Sequence, residues 1–438
     1  MDSDHPVVPF ALRLRGAIRE PGLLAKLANL SRSSHRMMHE ERGFLGVRRV
    51  LYHHRTQGKA VEGVHIRGIT DALRAEGVTV DILSLPGADP YASPKAMSPT
   101  RQARWWMRVI SNLPEGLFEL VEIAYNVIAG ARVLRYLRRH GDVDFIYERY
   151  SLFMFAPVWV ARRRKVPIIL EVNDSALVER VRPLFFQSIA RAIERWVFRN
   201  ASGLVFVSDV FRRRALEAHP DMARAIVTPN AANIAKFTFT PEQRAKARAE
   251  WKLDGRVVCG YLGAFVPWHA IDRFVYGIAP RLAETPHLKL LLVGDGAVFP
   301  QLQSFVEQQG LADRIALTGR VPHDAVPGLL AAMDMAILPN AGDYTSPVKL
   351  FEFMACAIPP IAPDFEPIRE VLVEGETGWM FPSGDLPAAI EAVLVRSRDT
   401  SELARVGRAA RDYICAHRQW RNNIVQLIEF HRSLAVAR

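Results

Sequence analysis

The feature that most limits how this chain can fold is a recurring unit: a short apolar run, then a turn, then a stretch with helical spacing. It appears first at Arg48-Arg49-Val50-Leu51-Tyr52-His53, which reads as a strand and leads into the polar, glycine-bearing loop Arg55-Thr56-Gln57-Gly58-Lys59. Val64, Ile66, Ile69, Ala72 and Leu73 then share one helical face, and Gly77 stops the helix. Residues 78–83 form a second apolar run. Strand, loop, helix, strand is a βαβ unit, which builds a parallel sheet with helices on its faces.

The unit repeats. Phe145-Ile146-Tyr147, Ile168-Ile169-Leu170, Leu204-Val205-Phe206-Val207 and Ile226-Val227-Thr228-Pro229-Asn230 read as further strands. Helices are predicted within 100–140 and over 181–199, the latter with arginines on one side. A polar stretch at 241–254 is left without an element, and then the series restarts. Its strands at 257–262, 288–293 and 315–317 end at Gly263, at Gly294-Asp295-Gly296 and at Thr318-Gly319-Arg320. Runs at 335–338, 360–362 and 378–381 follow. Two such series in 438 residues predict an α/β protein of two Rossmann-like doubly wound parallel sheets. The terminal glycines fall at the carboxyl edge, where such sheets bind ligands.

Composition narrows the partners. At 49% hydrophobic and 24% charged the chain is ordinary for a soluble protein, but its net charge is +11. Nucleic acid fits poorly, because the basic residues are dispersed and no zinc-finger or RRM-like motif is present. A phosphorylated small molecule or an anionic membrane surface fits better. Trp105, Trp106 and Met107 beside Arg101, Arg104 and Arg108 suit either a membrane-surface helix or a solvated helix with two buried tryptophans. Cys259, Cys356 and Cys415 form no CxxC pair, which argues against a zinc site or a disulfide framework and fits a reducing cytosol. No run of about 18 apolar residues occurs, and Arg13, Arg15 and Arg19 interrupt the N-terminal apolar stretch. The expected location is cytoplasmic, with peripheral contact at the inner face of the membrane.

The sharpest local signal is Tyr344-Thr345-Ser346-Pro347-Val348-Lys349-Leu350-Phe351-Glu352. Ser346 suits an N-cap and Pro347 the first helical position. The first amides, at about Val348 and Lys349, would then form an anion site for a diphosphate, with Lys349 adding a full charge. Glu352 lies three residues on, on the same face, where a carboxylate can accept two hydrogen bonds from a ribose diol. The same pattern also fits an ordinary capped helix with a surface Lys–Glu pair.

This segment resembles the region around the Glu-x7-Glu motif of glycosyltransferase family 4, retaining enzymes with the two-domain GT-B fold. The resemblance spans roughly residues 48–430 and rests on an ordered series of motifs. They include Glu62-Gly63-Val64-His65, Tyr147-Glu148-Arg149-Tyr150, Leu170-Glu171-Val172-Asn173 and Thr228-Pro229-Asn230. Leu262-Gly263-Ala264-Phe265-Val266-Pro267-Trp268-His269, Val293-Gly294-Asp295-Gly296, Glu374-Gly375-Glu376-Thr377-Gly378 and Trp420 complete the series. It implies an extension at 1–46, an acceptor-side domain at 47–227 joined by a returning helix at 411–438, and a nucleotide-sugar domain at 228–410.

The resemblance also assigns roles. Glu352 would hold the donor ribose, and the turn Ser346-Pro347-Val348-Lys349 the phosphates. Gly263 would let the phosphates approach the backbone, Gly294 would belong to the donor site, Gly319 and Arg320 would lie near the base, and Gly58 to Gly63 would close on the donor. Departures are equally specific. Tyr344 replaces the first Glu, with Asp343 adjacent. Ala264 and His269 replace the family's phosphate-binding Arg and Lys, leaving Lys349 and Arg320 as substitutes. Asn173 stands where many members have a catalytic-site His. Lys349, His269, Asn173 and Glu148 are therefore the expected catalytic set.

The implied reaction moves a sugar from a nucleotide-diphosphate donor to a saccharide or polyprenyl-linked acceptor, in glycan or polysaccharide synthesis. The donor phosphate itself would take the acceptor proton. No metal-binding motif is read in the chain, so no metal and no cofactor are expected. A non-catalytic nucleotide-sugar binder, an epimerase or phosphorylase on the same fold, and a membrane-associated assembly protein are the rival readings.

Overall fold

A computed structural model describes residues 44–58, 61–91, 114–178, 183–322 and 325–436. The N-terminal half runs β1 (Arg49–His53), α1 (Val61–Ala75), β2 (Thr79–Leu83), α2 (Glu115–Arg139), β3 (Phe145–Arg149), α3 (Ala156–Arg164), β4 (Ile168–Val172), α4 (Gln187–Asn200), β5 (Gly203–Phe206), α5 (Asp209–Ala218) and β6 (Ala225–Val227). Its strands form one parallel sheet in the order β2-β1-β3-β4-β5-β6. The strands read as near-continuous apolar runs because helices cover both faces. Two of the polar exceptions, Glu148 on β3 and Glu171 on β4, are each 1% exposed and mark the polar end of the sheet.

The second half runs α6 (Pro241–Glu250), β7 (Val257–Leu262), α7 (Ile271–Leu282), β8 (Leu288–Val293), α8 (Phe299–Gln308), β9 (Ile315–Leu317), α9 (Val326–Leu330), β10 (Met335–Ile337), α10 (Val348–Ala355), β11 (Pro360–Pro363), α11 (Glu366–Arg369), β12 (Trp379–Phe381) and α12 (Leu386–Arg396). Its parallel sheet has the order β12-β11-β10-β7-β8-β9. The chain winds outward from β7 to β9 and then returns to β10 on β7's other side. The carboxyl end of β7 and β10 is thus the switch point, where an open α/β sheet leaves a crevice for ligands.

Two apolar clusters lie in each half, one on each face of the sheet. Helix α13 (Thr400–His417) adds Leu403, Val406, Ala410 and Ile414 to the C-terminal clusters. The next helix, α14 (Trp420–Val436), belongs to the other half: Trp420, Ile424, Leu427, Ile428, Phe430 and Leu434 all pack in the cluster built on β1, β3 and α1. A Cβ at Gly68 of α1 would come within 2.2 Å of the Trp420 ring, so only glycine admits this docking. The crossing occurs beside the linker, with Ala232 N donating to Arg418 O at 3.0 Å and Asn423 Nδ2 to Pro229 O at 2.8 Å.

Several expectations shift. The return to the first half begins at about residue 418 rather than 411, because α13 spends its apolar face on the second half. The first half begins by Phe44, which is buried with Val47 in its core; residues 1–43 lie outside the described residues. Helix 181–199 starts only at Gln187 in α4, after residues 179–182, which are also outside. The polar stretch at 241–254 contains α6, started by a Thr240/Gln243 capping box with Pro241 at its first position. Trp105, Trp106 and Met107, with Arg101, Arg104 and Arg108, lie outside the described residues.

Candidate active site

At the switch point β7 ends in Leu262-Gly263 and the loop after β10 leads into α10. Gly263 has φ +148°, a conformation that disfavours a side chain. A Cβ there would stand 2.8 Å from Lys349 Nζ. Lys349 as a residue is half-buried, yet its Nζ is sealed from water and has no hydrogen-bond partner. It lies over the Tyr261 ring, 4.8 Å from the centroid. Burial lowers its pKa to about 8, against a smaller opposing pull from Glu352. Glu352, one turn along α10, is 4% exposed, and burial raises its pKa to about 7 while Lys349 pulls it down.

Glu352 does not point into the apolar core. It lines a cavity shared with Val64, Arg67 and Gly68 of α1, with the linker at Ala231–Asn233, and with Trp420. Both halves of the molecule thus contribute to its walls.

His269 closes the cradle from a short 3-10 turn, Pro267–His269. Its Nδ1 lies 2.8 Å from Ala264 O, and the Tyr261 hydroxyl donates to the same carbonyl at 2.9 Å. A carbonyl only accepts, so Nδ1 carries the hydrogen and Nε2 is left as an acceptor. Burial, then the neighbouring Lys349 charge, lowers the His269 pKa to about 4. At neutral pH it brings no charge, and the family's two basic positions are both neutral here.

The remaining donor-side residues are spread over the same sheet edge. Gly294 N donates to Gly319 O at 3.2 Å, and a Cβ at Gly294 would strike Gly263 O, so these three backbones pack directly against one another. Arg320 is not in the cradle: its side chain is 85% exposed on the rim, 3.7 Å from Asp295. Gly58 and Gly63 touch each other and the 85–90 loop, a Cβ at Gly63 meeting Gly58 O at 2.2 Å and one at Gly58 meeting Ala88 O at 2.3 Å.

Two expectations are corrected at the turn. Ser346 is not the N-cap: Pro347 occupies that position without a side-chain cap, and the helix starts at Val348. The Ser346 hydroxyl instead accepts from Asn230 N at 3.0 Å, while Asn230 Nδ2 donates to Ser346 O, tying the turn to the linker. Tyr344 turns its ring onto Phe211 of the first half, at 5.1 Å, and its carbonyl accepts from Ser208 at 2.7 Å. Asp343 pairs with Arg214 at 2.5 Å. Both substitutes for the first Glu are therefore engaged with α5 and its N-cap.

Glu148 and Asn173 sit on the other half, at the carboxyl edge of its sheet. Glu148 Oε2 lies 2.8 Å from His53 Nδ1, both side chains buried. Asn173 Nδ2 donates to Glu171, which also receives Arg149 at 2.5 Å and lies 3.4 Å from His65 Nδ1. Glu148 Oε1 and Glu171 Oε2 are buried without a hydrogen-bond partner. Sequence reasoning missed Tyr261, His53 and the Arg149–Glu171 pair. A charged residue inside an apolar strand, as at Glu171, was the available signal. No group of three His, Cys, Asp or Glu side chains placed to share an ion occurs among the described residues.

Residues 256–399, which carry this cradle, match the family model "Glycosyl transferases group 1", and residues 62–231 match "Glycosyl transferase 4-like domain". Each half thus matches a glycosyltransferase family model. The group 1 domain is the half that holds Lys349, Glu352 and His269; the 4-like domain holds Glu148 and Asn173.

Curated relatives include alpha-D-kanosaminyltransferase of Streptomyces kanamyceticus, 22% identical over 55% of this chain and 63% of that protein. The phosphatidyl-myo-inositol mannosyltransferase of Mycobacterium leprae is 24% identical over 76% of this chain and 83% of its own. The match spans just under two thirds of the length of the kanosaminyltransferase, 63%, and of the GDP-mannose-dependent alpha-(1-6)-phosphatidylinositol monomannoside mannosyltransferase of Mycolicibacterium smegmatis, 65%. Among solved structures, Anabaena HepE in complex with UDP superposes with a TM-score of 0.63 at 15% identity, covering 87% of this chain and 99% of that one. Sucrose-phosphate synthase of Thermosynechococcus elongatus does so with 0.66 at 18% identity, covering 89% of this chain and all of the other. These likenesses show a two-domain GT-B fold. Among the described residues no helix is long and apolar enough to cross a membrane.

Proposed function

We propose that this chain transfers a glycosyl group from a nucleoside-diphosphate sugar to a saccharide or polyprenyl-linked acceptor, with retention at the anomeric carbon and without a metal ion or cofactor. One observation carries the reading: the Lys349 ammonium is sealed, has no hydrogen-bond partner, and faces glycine backbone at the switch point. A buried cation without a hydrogen-bonded counter-ion is costly, and a ligand that brings an anion onto it removes the cost.

A departing nucleoside diphosphate is such a ligand. When the bond from the anomeric carbon to the phosphate oxygen breaks, the electron pair stays on the diphosphate. Negative charge then grows beside Nζ and the opening amides of α10. The acceptor hydroxyl attacks from the same face and passes its proton to that phosphate. Glu352 receives the ribose hydroxyls. Arg320 waits on the rim, and the glycines at 58, 63, 294 and 319 leave room for the donor. Glu148 and Asn173 act from the 4-like domain on the acceptor and the transferred sugar. The named relatives, which transfer kanosamine and mannose, support hexosyl chemistry, and the mannosyl acceptor phosphatidyl-myo-inositol supports work at the cytoplasmic membrane face.

A thermal-shift series with UDP, GDP, ADP and their sugars tests the reading. One nucleotide should raise the melting temperature of the wild type and not of Lys349→Ala. Transfer should persist in EDTA, and NMR of the product should give the donor's anomer. A chain that no nucleotide stabilises would sink the proposal.

A further inference from the structure

Helix α2 is apolar on two sides: Ile123, Val133, Leu134 and Leu137 pack into the core, and a second apolar stripe looks outward. Its inward face carries Glu119 and Asn126, both buried and both spent on backbone. Asn126 Oδ1 accepts from Phe155 N and Ala156 N at 2.8 and 2.9 Å, and Glu119 accepts from Phe185 N and Phe186 N at 2.7 and 2.8 Å. Its outward face is apolar. Leu117, Leu120 and Val121 are 41 to 50% exposed, Val127 78% and Ile128 55%, with Ala124 and Ala131 also exposed. The spacing is that of one helical stripe, the stripe a soluble helix normally turns inward.

The stripe continues onto neighbouring helices. Gly130 of α2 lies against Ala156 and Val160 of α3, so the two helices run side by side. Trp159 of α3 is 47% exposed, with the Arg163 guanidinium 4.9 Å from its ring centroid. Phe185, just ahead of α4, lies against Gly116 and is 68% exposed; Ile189 and Trp196 of α4 follow at 44 and 37%. Among the described residues, nine of the sixteen exposed large apolar side chains lie on these three helices and the residue leading into α4.

Charge is sorted in the same sense. Arg135, Arg138 and Arg139 end α2, and Arg162, Arg163 and Arg164 end α3, all exposed. The described acidic side chains on these helices turn the other way: Glu119 and Glu194 are buried, and Glu122 is held by Arg55 at 2.5 Å. An apolar stripe rimmed by outward cations matches the boundary of an anionic bilayer. A second copy fits worse, since the described acidic side chains of this face are buried or already paired and would leave its arginines unmatched in a twofold contact.

We propose that the α2–α3–α4 face docks onto an anionic phospholipid surface, the stripe entering the headgroup boundary and the arginines meeting lipid phosphates. This rests on the reading of a membrane-side acceptor, but its test involves no catalysis. The full chain is sedimented with vesicles of phosphatidylcholine, with and without phosphatidylglycerol. Binding is expected only with phosphatidylglycerol. Val127→Glu/Ile128→Glu should weaken it at least tenfold, and Arg138→Glu/Arg162→Glu by a similar factor, with the melting temperature unchanged in both. Equal binding of wild type and variants overturns the proposal. So does a shift from dimer to monomer in Val127→Glu/Ile128→Glu, which would make the face a self-contact. A large fall in its melting temperature overturns it too, since the stripe would then be covered by the chain's own segments.

Discussion

Lys349 and Glu352 sit one helical turn apart, both drawn toward neutrality by burial and both propped up by the other's charge. Their pKa values, about 8 and about 7, leave a window of roughly one pH unit in which both are mostly charged. Nucleotide affinity should therefore peak between about pH 7 and 8, falling above as Lys349 loses its proton and below as Glu352 gains one; isothermal titration across pH reads this directly. A flat profile would remove the pair from binding. The ligand-free fold should show the opposite sense at Glu352. Its pKa is raised from 4.5 to about 7, so the folded chain binds more protons than the unfolded one in that range, and stability falls as pH rises through it. Lys349, lowered from 10.5 to about 8, binds fewer protons when folded, so stability recovers with rising pH between those values. Lys349→Ala should cost about a hundredfold or more in turnover, the scale of losing one preorganised charge at the leaving group. It should not lower the melting temperature, since the ammonium has no hydrogen bond to lose and its burial is itself a cost. The importance of this pair was legible from its spacing in the sequence. The part played by Ser346 was not: a serine before a proline suits a cap, but Asn230 lies more than a hundred residues away in the chain and claims its hydroxyl.

At the level of elements, the strands were legible because parallel strands buried on both faces leave unbroken apolar runs, as in β5 and β7. Helix α6 was not, since only Ala247 of its ten residues is buried and no apolar period betrays it. Its capping box, Thr240 with Gln243, was the one local sign. The α1–α14 contact depends on a single missing atom group. Gly68→Ala should push the Trp420 ring aside and cost on the order of 1–3 kcal/mol, the usual range for overpacking. Chemical denaturation read by tryptophan fluorescence measures it; an unchanged midpoint would mean the ring has room to move.

The whole molecule is two halves whose chain crosses twice, once at the linker near Ala232 and once at Gln419, and these crossings pair with each other as a short parallel bridge. Contacts farther out also span the gap: Arg213 with Glu366, Arg214 with Asp343, and Asp209 N with Glu370 at 3.1 Å. Removing residues 419–438 should strip the first half of part of its core and leave the second half intact. Limited proteolysis is then expected to degrade the first half while a fragment containing 241–417 resists. Two-domain organisation was readable from the restarted strand series. The point of return was not, because α13 and α14 are both amphipathic and only packing tells which half each serves.

The paired crossings have a consequence for motion. A single tether would let the halves swing, twist and roll; two strands side by side form a ribbon, which bends easily across its width and resists torsion. Approach of one half to the other is thereby reduced to nearly one angular coordinate. Less orientational freedom remains to be surrendered when a ligand is enclosed, so more of the contact energy is left to hold it.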